Sequence, residues 1–309
     1  MKRITIAIIG SGAVGGYYGA RLAQHGHDVH FLLRSDFAAV KKDGWMVKSV
    51  DGDFVLHPNQ FTAHEDVSTM PQADLIIIAL KATANDVLPK LLPPLVKEST
   101  AVLTLQNGLG NEDVVANIVG ADRVLGGLAF VCINRVGAGK VHHSDHGLIK
   151  VGDFARTTMD RPNWIEQMFG AANIACRAID DLKKARWEKL VWNVPFNGLG
   201  TAMLMTTDQL IGSNAGLELV RGLMQEIITT AATQGITFPA DLIEQKIDHT
   251  RTMGAYKTSM QVDRETGRPI ELDAIFLQPR KVAQSSNVLT KHLDWVIKQL
   301  TIVQEATSK

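Results

Sequence analysis

At 309 residues, with hydrophobic side chains at 45% and charged ones at 21%, the chain has material for two domains with cores of their own and no tract polar enough to stay unfolded. Lys plus Arg and Asp plus Glu balance at 32 each, so no overall positive field draws nucleic acid or an anionic membrane, and an anionic ligand must be small. The two cysteines, Cys132 and Cys176, stand far apart and outside any CxxC spacing, which argues against a disulfide framework or a thiolate metal site and fits a reducing compartment.

The opening MKRITIAIIGSG is a short apolar run ending in glycines without a small-residue cleavage site; it reads as a strand buried on both faces, not as a signal peptide. AVGGYYGARLAQHG then reads as a helix stopped by Gly26, and DVHFLLR as a second strand, which completes one βαβ unit. Apolar runs at Leu75–Leu80, Ala101–Leu105 and Val124–Val131 predict further strands, and GKVHHSDHGLIKVGD an antiparallel pair that closes the sheet. Beyond Ile179 the apolar residues recur at three- and four-residue spacing, which predicts helices over Gly216–Gln234 and Ala240–Thr258, joined by TQGITFPAD. The expected fold is therefore α/β, with an N-terminal Rossmann-type doubly wound sheet over residues 1–178 and an all-helical C-terminal domain over 179–309. No stretch approaches the roughly 20 apolar residues that span a bilayer, so a cytoplasmic protein is expected.

Gly10-Ser11-Gly12-Ala13-Val14-Gly15 follows a predicted strand and opens a predicted helix. There glycines allow a tight turn and let backbone N–H groups approach a pyrophosphate, so the segment predicts dinucleotide binding. About 20 residues on, where an NAD-selective site carries an acid, stands Arg34, whose guanidinium pairs with a 2′-phosphate; NADP is favoured, with Asp36 two residues later acting against it. The alternative for Arg34 is an exposed arginine at a strand end.

Within ARWEKLVWNVPFNGLG, Lys189, Asn193 and Asn197 recur at every fourth residue and share one face of a helix that is otherwise mostly apolar. Burying an ammonium and two amides there costs several kcal/mol unless a polar ligand satisfies them, so the ladder predicts a substrate-facing surface rather than a solvated stripe. A partly desolvated lysine has a lowered pKa and suits proton delivery to the oxygen of a ketone that receives hydride. Pro195 is expected to kink this helix. The group His142, His143, Asp145 and His146 is not expected to bind metal, because adjacent strand residues point to opposite faces. No metal is expected.

GSGAVGG, LLR at Arg34, LKA at Lys81, QNGLGN at Asn107, WEKLVWNVPFN, KTSMQVD at Ser259 and IELDAI at Glu271 occur in an order in which the chain resembles the ketopantoate reductase (2-dehydropantoate 2-reductase) family over nearly its whole length. The resemblance implies an NADPH-dependent oxidoreductase acting on a CH–OH group, which reduces 2-dehydropantoate to (R)-pantoate on the way to pantothenate and coenzyme A. It implies Lys189 as general acid and Glu271 as its catalytic partner, bonding the substrate and the cofactor end of the site. Asn107 would lie near the nicotinamide, and Asn193, Asn197 and Ser259 would hold the substrate. Lys81 and Arg34 would face the adenosine phosphate side, and Cys132 would touch the cofactor through its backbone. Phe276 and Leu277 depart from the family's usual Asn-Gly and bear on the wall beneath Glu271, so a related 2-oxo-acid reductase or 2-hydroxy-acid dehydrogenase of different substrate is the alternative. A non-catalytic NADPH-binding regulator would carry a degraded catalytic set, and Lys189, Asn193, Asn197, Ser259 and Glu271 are all present. A small 2-oxo acid is the expected partner, without nucleic acid or membrane; a homodimer is common among such enzymes, and no segment marks its interface.

Overall fold

The computed structural model describes residues 2–155 and 159–307. Its first part contains β1 (Thr5–Ile9), α1 (Ala13–Gln24), β2 (Asp28–Leu32), α2 (Phe37–Asp43), β3 (Trp45–Ser49), β4 (Phe54–Leu56), β5 (Thr62–His64), β6 (Leu75–Ile78), α3 (Leu88–Leu91), β7 (Ala101–Thr104), α4 (Asn111–Val119), β8 (Val124–Gly137), β9 (Lys140–Asp153), α5 (Asp160–Ala171) and β10 (Cys176–Ile179). Six strands lie parallel in the order β5-β2-β1-β6-β7-β8, the doubly wound arrangement. Along β1 the side chains alternate between two cores. Ile6 and Ile8 pack with Tyr18, Phe31 and Leu103, whereas Ala7 and Ile9 pack with Leu88, Leu92 and Val115. Burial on both faces is why ITIAIIG has no polar alternation, and each fully buried isoleucine contributes roughly 1.5–3 kcal/mol.

The far side of the sheet differs from the sequence expectation. GKVHHSDHGLIKVGD supplies one long strand, β9, whose antiparallel partner is β8 across the turn at Ala138–Gly139. β3 then pairs parallel to β9 and antiparallel to β4, and β10 adds parallel to β9. The β3–β4 hairpin had a local signal: WMVKS alternates buried and exposed residues, and Gly52 turns the chain at φ +104°.

The second part is helical: α6 (Leu182–Met203), α7 (Thr207–Ile211), α8 (Asn214–Thr233), α9 (Leu242–Thr252), α10 (Ser259–Glu265), α11 (Gln278–Ser285) and α12 (Lys291–Thr307), with a π-helical turn at Asp273–Leu277. α6 runs on as one helix through Pro195. The helix expected over Ala240–Thr258 stops at Thr252, because Gly254 takes φ +65° and Thr258 caps a new helix by accepting from the Gln261 N–H. Trp187, Leu190, Val191, Val194 and Phe196 of α6 anchor a core shared with Leu223, Ile227, Phe276 and Val296.

By internal contacts, one compact unit runs to Gln106 and resumes over Asn111–Leu182, and the other comprises Asn107–Gly110 and the chain from Lys183 onward. Against the 178/179 boundary read from the sequence, β10 ends at Ile179 and the first unit runs on to Leu182. No helix among the described residues is long and apolar enough to cross a membrane.

Two glycines of the first turn make different demands. A Cβ on Gly10, at φ +98°, would sit 2.2 Å from the Leu80 nitrogen, whereas one on Gly12 would meet nothing within 4 Å. Gly10→Ala is expected to lower unfolding stability by about 2–4 kcal/mol; Gly12→Ala is expected to stay within about 1 kcal/mol of wild type. Urea unfolding of the two variants decides this, and equal losses would refute it.

Candidate active site

In the first unit, the carboxyl ends of four adjacent strands line up: Ile9 is in register with Leu32 on one side and Ile78 on the other, and Ile78 with Thr104. The segments that leave these ends carry the glycine loop, Arg34, Lys81 and Gln106-Asn107 respectively. The chain departs from β1 in opposite directions along the sheet, toward β2 and β6, and such a switch point is where open α/β sheets bind ligands.

The three loop glycines divide the work as a dinucleotide site requires. Gly10 makes the tight turn, with the Gly12 N–H donating to its carbonyl at 2.8 Å. Gly15 packs the helix onto the sheet, where a Cβ would lie 2.3 Å from the Gly10 oxygen. Gly12 is the N-cap of α1, has open space where its Cβ would be, and receives no side-chain cap; the first turn, with Ala13 and Val14, carries no acid. Uncapped N–H groups at an open helix start fit a pyrophosphate. Ser11 is committed elsewhere, its hydroxyl donating to the Leu32 carbonyl at 2.9 Å.

Arg34 is exposed, and its guanidinium has no partner among the described residues. Asp36, by contrast, is 4% exposed and held by Arg135. Lys81 is half-buried and opens the short 3-10 segment Ala82–Val87. Cys132 does not join this row: it lies on the β8 extension, six residues beyond Gly126, the last residue of β8 that pairs with β7, and its carbonyl accepts from the Ser144 hydroxyl at 3.3 Å.

In the second unit, the ladder on α6 is half-buried at Lys189 and buried at Asn193 and Asn197, and is not a solvated stripe. Asn193 and Asn197 are 5% and 3% exposed, and neither amide has a side-chain hydrogen-bond partner among the described residues. Lys189 Nζ donates to Asn107 Oδ1 at 3.0 Å. Burial pushes the Lys189 pKa down to about 7; the neighbouring Arg186 charge pushes the same way and the Glu271 carboxylate opposes both. Arg186, one turn before Lys189, was visible in the sequence as a like-charged neighbour at i−3 and was not singled out there.

The loop that carries Asn107 is held at its ends and along its length. Gln106 Nε2 donates to Asn85 Oδ1 at 2.7 Å and Asn85 Nδ2 donates to Asn111 Oδ1 at 2.9 Å, so one side chain ties both ends of the 107–110 loop. The loop itself lies on the π-helical turn: the Leu109 N–H donates to the Ala274 carbonyl at 2.9 Å, and a Cβ on Gly108 would come within 2.3 Å of that same oxygen. Glu271, 5% exposed, stands two residues before this turn. Single π turns often occur at functional sites, where the extra residue re-aims neighbouring side chains.

Ser259 is exposed at the start of α10, and no hydrogen bond joins it to the ladder among the described residues. Its helix is tied to the end of α6 by Arg264, which donates to the carbonyls of Thr201 and Ala202. Phe276 is fully buried, packed against Gly198, the residue after Asn197, while Leu277 is half-buried. His143 is also internal: Nδ1 meets Ser49 Oγ at 2.8 Å and Nε2 faces the carbonyls of Asp145 and His146, so it braces an irregular stretch of β9. Among the described residues no group of three or more His, Cys, Asp or Glu is placed to hold a metal.

The family model "Ketopantoate reductase PanE/ApbA" matches residues 6–156, and "Ketopantoate reductase PanE/ApbA C terminal" matches residues 181–304. The 2-dehydropantoate 2-reductase of Nostoc sp. is 44% identical over 305 residues, which cover 97% of this chain and 95% of that protein. The crystal structure of 2-dehydropantoate 2-reductase from Geobacter metallireducens superposes with a TM-score of 0.93 at 41% identity, covering 96% of this chain and 99% of the other. That of 2-dehydropantoate 2-reductase from Methylococcus capsulatus gives 0.88 at 31% identity, covering 99% and 98%. Matches of this extent, over both halves of the chain, leave one conclusion: the chain belongs to the ketopantoate reductase family.

Proposed function

We propose that this protein reduces 2-dehydropantoate to (R)-pantoate with NADPH, a step in the synthesis of pantothenate and coenzyme A. The observation that carries the reading is a half-buried lysine of lowered pKa, held by Asn107 and Glu271, next to two buried amides without hydrogen-bond partners among the described residues. The first unit serves as the cofactor-binding domain and the second as the substrate-binding and catalytic one. That the two cysteines form no disulfide among the described residues fits the cytoplasm.

Bound NADPH would supply hydride to the carbonyl carbon of the oxo acid. Negative charge then develops on the carbonyl oxygen, where the Lys189 ammonium stabilises it and delivers a proton from Nζ. Asn107 orients that proton by accepting from Nζ. Glu271 keeps the ammonium form populated against burial and Arg186, and bonds the substrate hydroxyl. Asn193, Asn197 and Ser259 hold the substrate's hydroxyl and carboxylate. The glycine loop would hold the pyrophosphate, and Arg34 and Lys81 would hold the 2′-phosphate side of the adenosine.

The test is oxidation of NADPH followed by near-ultraviolet absorbance, with 2-dehydropantoate, 2-oxoisovalerate and phenylglyoxylate in parallel and NADH as the second cofactor. Turnover confined to 2-dehydropantoate is expected; preference for another oxo acid would move the assignment to a different substrate, and none at all would refute it. Reduction needs protonated Lys189, so kcat/KM is expected to fall as pH rises through about 7, approaching tenfold per unit. A flat profile between pH 6 and 9 would remove Lys189 as the proton donor. Lys189→Ala should lower kcat by about 10²–10⁴-fold while the Kd for NADPH in calorimetry stays near wild type; full activity of this variant would sink the mechanism. Arg34→Asp should lower kcat/KM for NADPH by about 10–100-fold with little loss for NADH, and equal losses would overturn the 2′-phosphate assignment.

A further inference from the structure

Asp36 stands two residues beyond Arg34, in the stretch after the second strand where a carboxylate commonly decides which dinucleotide binds. It also immediately precedes α2, a position from which aspartate ordinarily accepts N–H bonds from its own helix. Here it makes no such bond. Arg135 instead donates Nε to Oδ2 at 2.8 Å and a terminal nitrogen to Oδ1 at 2.5 Å. The Gly139 N–H donates to Oδ2 at 3.2 Å and the Ser35 hydroxyl to Oδ1 at 3.0 Å. Four donors fill the acceptor sites of one carboxylate, two of them from a single planar guanidinium.

The lock is built by the hairpin. Arg135 lies near the end of β8 and Gly139 in the turn to β9, where φ is +64° and a Cβ would come within 2.9 Å of the Gly44 carbonyl and 3.0 Å of Val40. Only glycine lets the turn settle so closely on α2, and that closeness brings its N–H to Asp36. Burial disfavours the Asp36 charge, yet the bonds from Arg135 and Gly139 hold its pKa below the ordinary carboxylate range, so it stays ionised and paired.

We propose that Arg135 is a specificity-determining positioning residue: by locking the Asp36 carboxylate onto the β8–β9 hairpin, it withdraws the acid from the ribose 2′ position and leaves the exposed Arg34 guanidinium to select a 2′-phosphate. The inference rests on the reading that NADPH binds at the glycine loop. Release of Asp36 would place a carboxylate within reach of the ribose, where it attracts 2′- and 3′-hydroxyls and repels a 2′-phosphate.

The experiment measures kcat and KM for NADPH and for NADH, with 2-dehydropantoate saturating, in wild type, Arg135→Met, Asp36→Asn and the double variant. Arg135→Met is expected to lower the NADPH:NADH ratio of kcat/KM at least tenfold, through KM and not kcat. Asp36→Asn should keep the ratio or raise it, and adding Arg135→Met to it should change nothing further. An unchanged ratio in Arg135→Met overturns the proposal, as does an equal fall in the Asp36→Asn background, which would mean that Arg135 touches the cofactor itself. Should the methionine variant fail to fold around its unpaired carboxylate, Arg135→Gln keeps one donor without the charge; its ratio should fall at least threefold, and no change overturns the proposal. A wild type that prefers NADH would end the NADPH reading, while the direction of change in the variants would still decide the role of Arg135.

Discussion

A half-buried ammonium governs the second unit. Removing the charge of Lys189 from water costs several kcal/mol, and folding around it is tolerable only if nearby groups compensate. Asn107 compensates through a direct hydrogen bond and Glu271 through its negative charge, while Arg186 works in the opposite sense. The outcome is a lysine whose pKa is lowered to about 7, which suits the proton donor proposed above. The close seat of Gly108 on the Ala274 carbonyl and the π turn beside Glu271 follow from the same demand, since both steer a partner toward Lys189.

The first unit solves a different problem by similar means. A pyrophosphate site asks for free N–H groups and space, and the chain supplies them by leaving α1 uncapped and placing at position 12 a glycine with nothing beside it. The selectivity proposed at the ribose end asks for control of charge. Arg34 is left exposed, and the neighbouring acid is immobilised by four donors. In both units some of these groups sit on loops anchored to rigid elements, and the anchoring uses close backbone contacts that only glycine permits at Gly10, Gly108 and Gly139.

Much of this was legible beforehand. The alternation of apolar strands with a glycine-rich turn and a helix indicated the doubly wound sheet, and the four-residue spacing of Lys189, Asn193 and Asn197 put them on one face of α6. Less legible were pairings that join distant segments. The β3–β4 hairpin carried a local signal, yet its attachment to β9 did not, because edge pairing depends on which backbone groups remain unpaired once the rest of the sheet has formed. The helix expected over Ala240–Thr258 was broken by the conformation of one glycine, a choice that periodicity does not record.

The sequence by itself determined the local features: which runs could be strands or helices, where the turns must lie, and which polar residues share a helical face. These follow from steric and periodic rules that act over a few residues. The tertiary structure alone decided the charge state and the company of the key side chains. Lys189 meets Asn107 across 82 positions, and Asp36 meets Arg135 across 99. Whether a lysine is a proton donor or a solvated charge, and whether an aspartate faces a ribose or a guanidinium, depends on burial and on neighbours brought together by folding, and neither exists until the chain has packed.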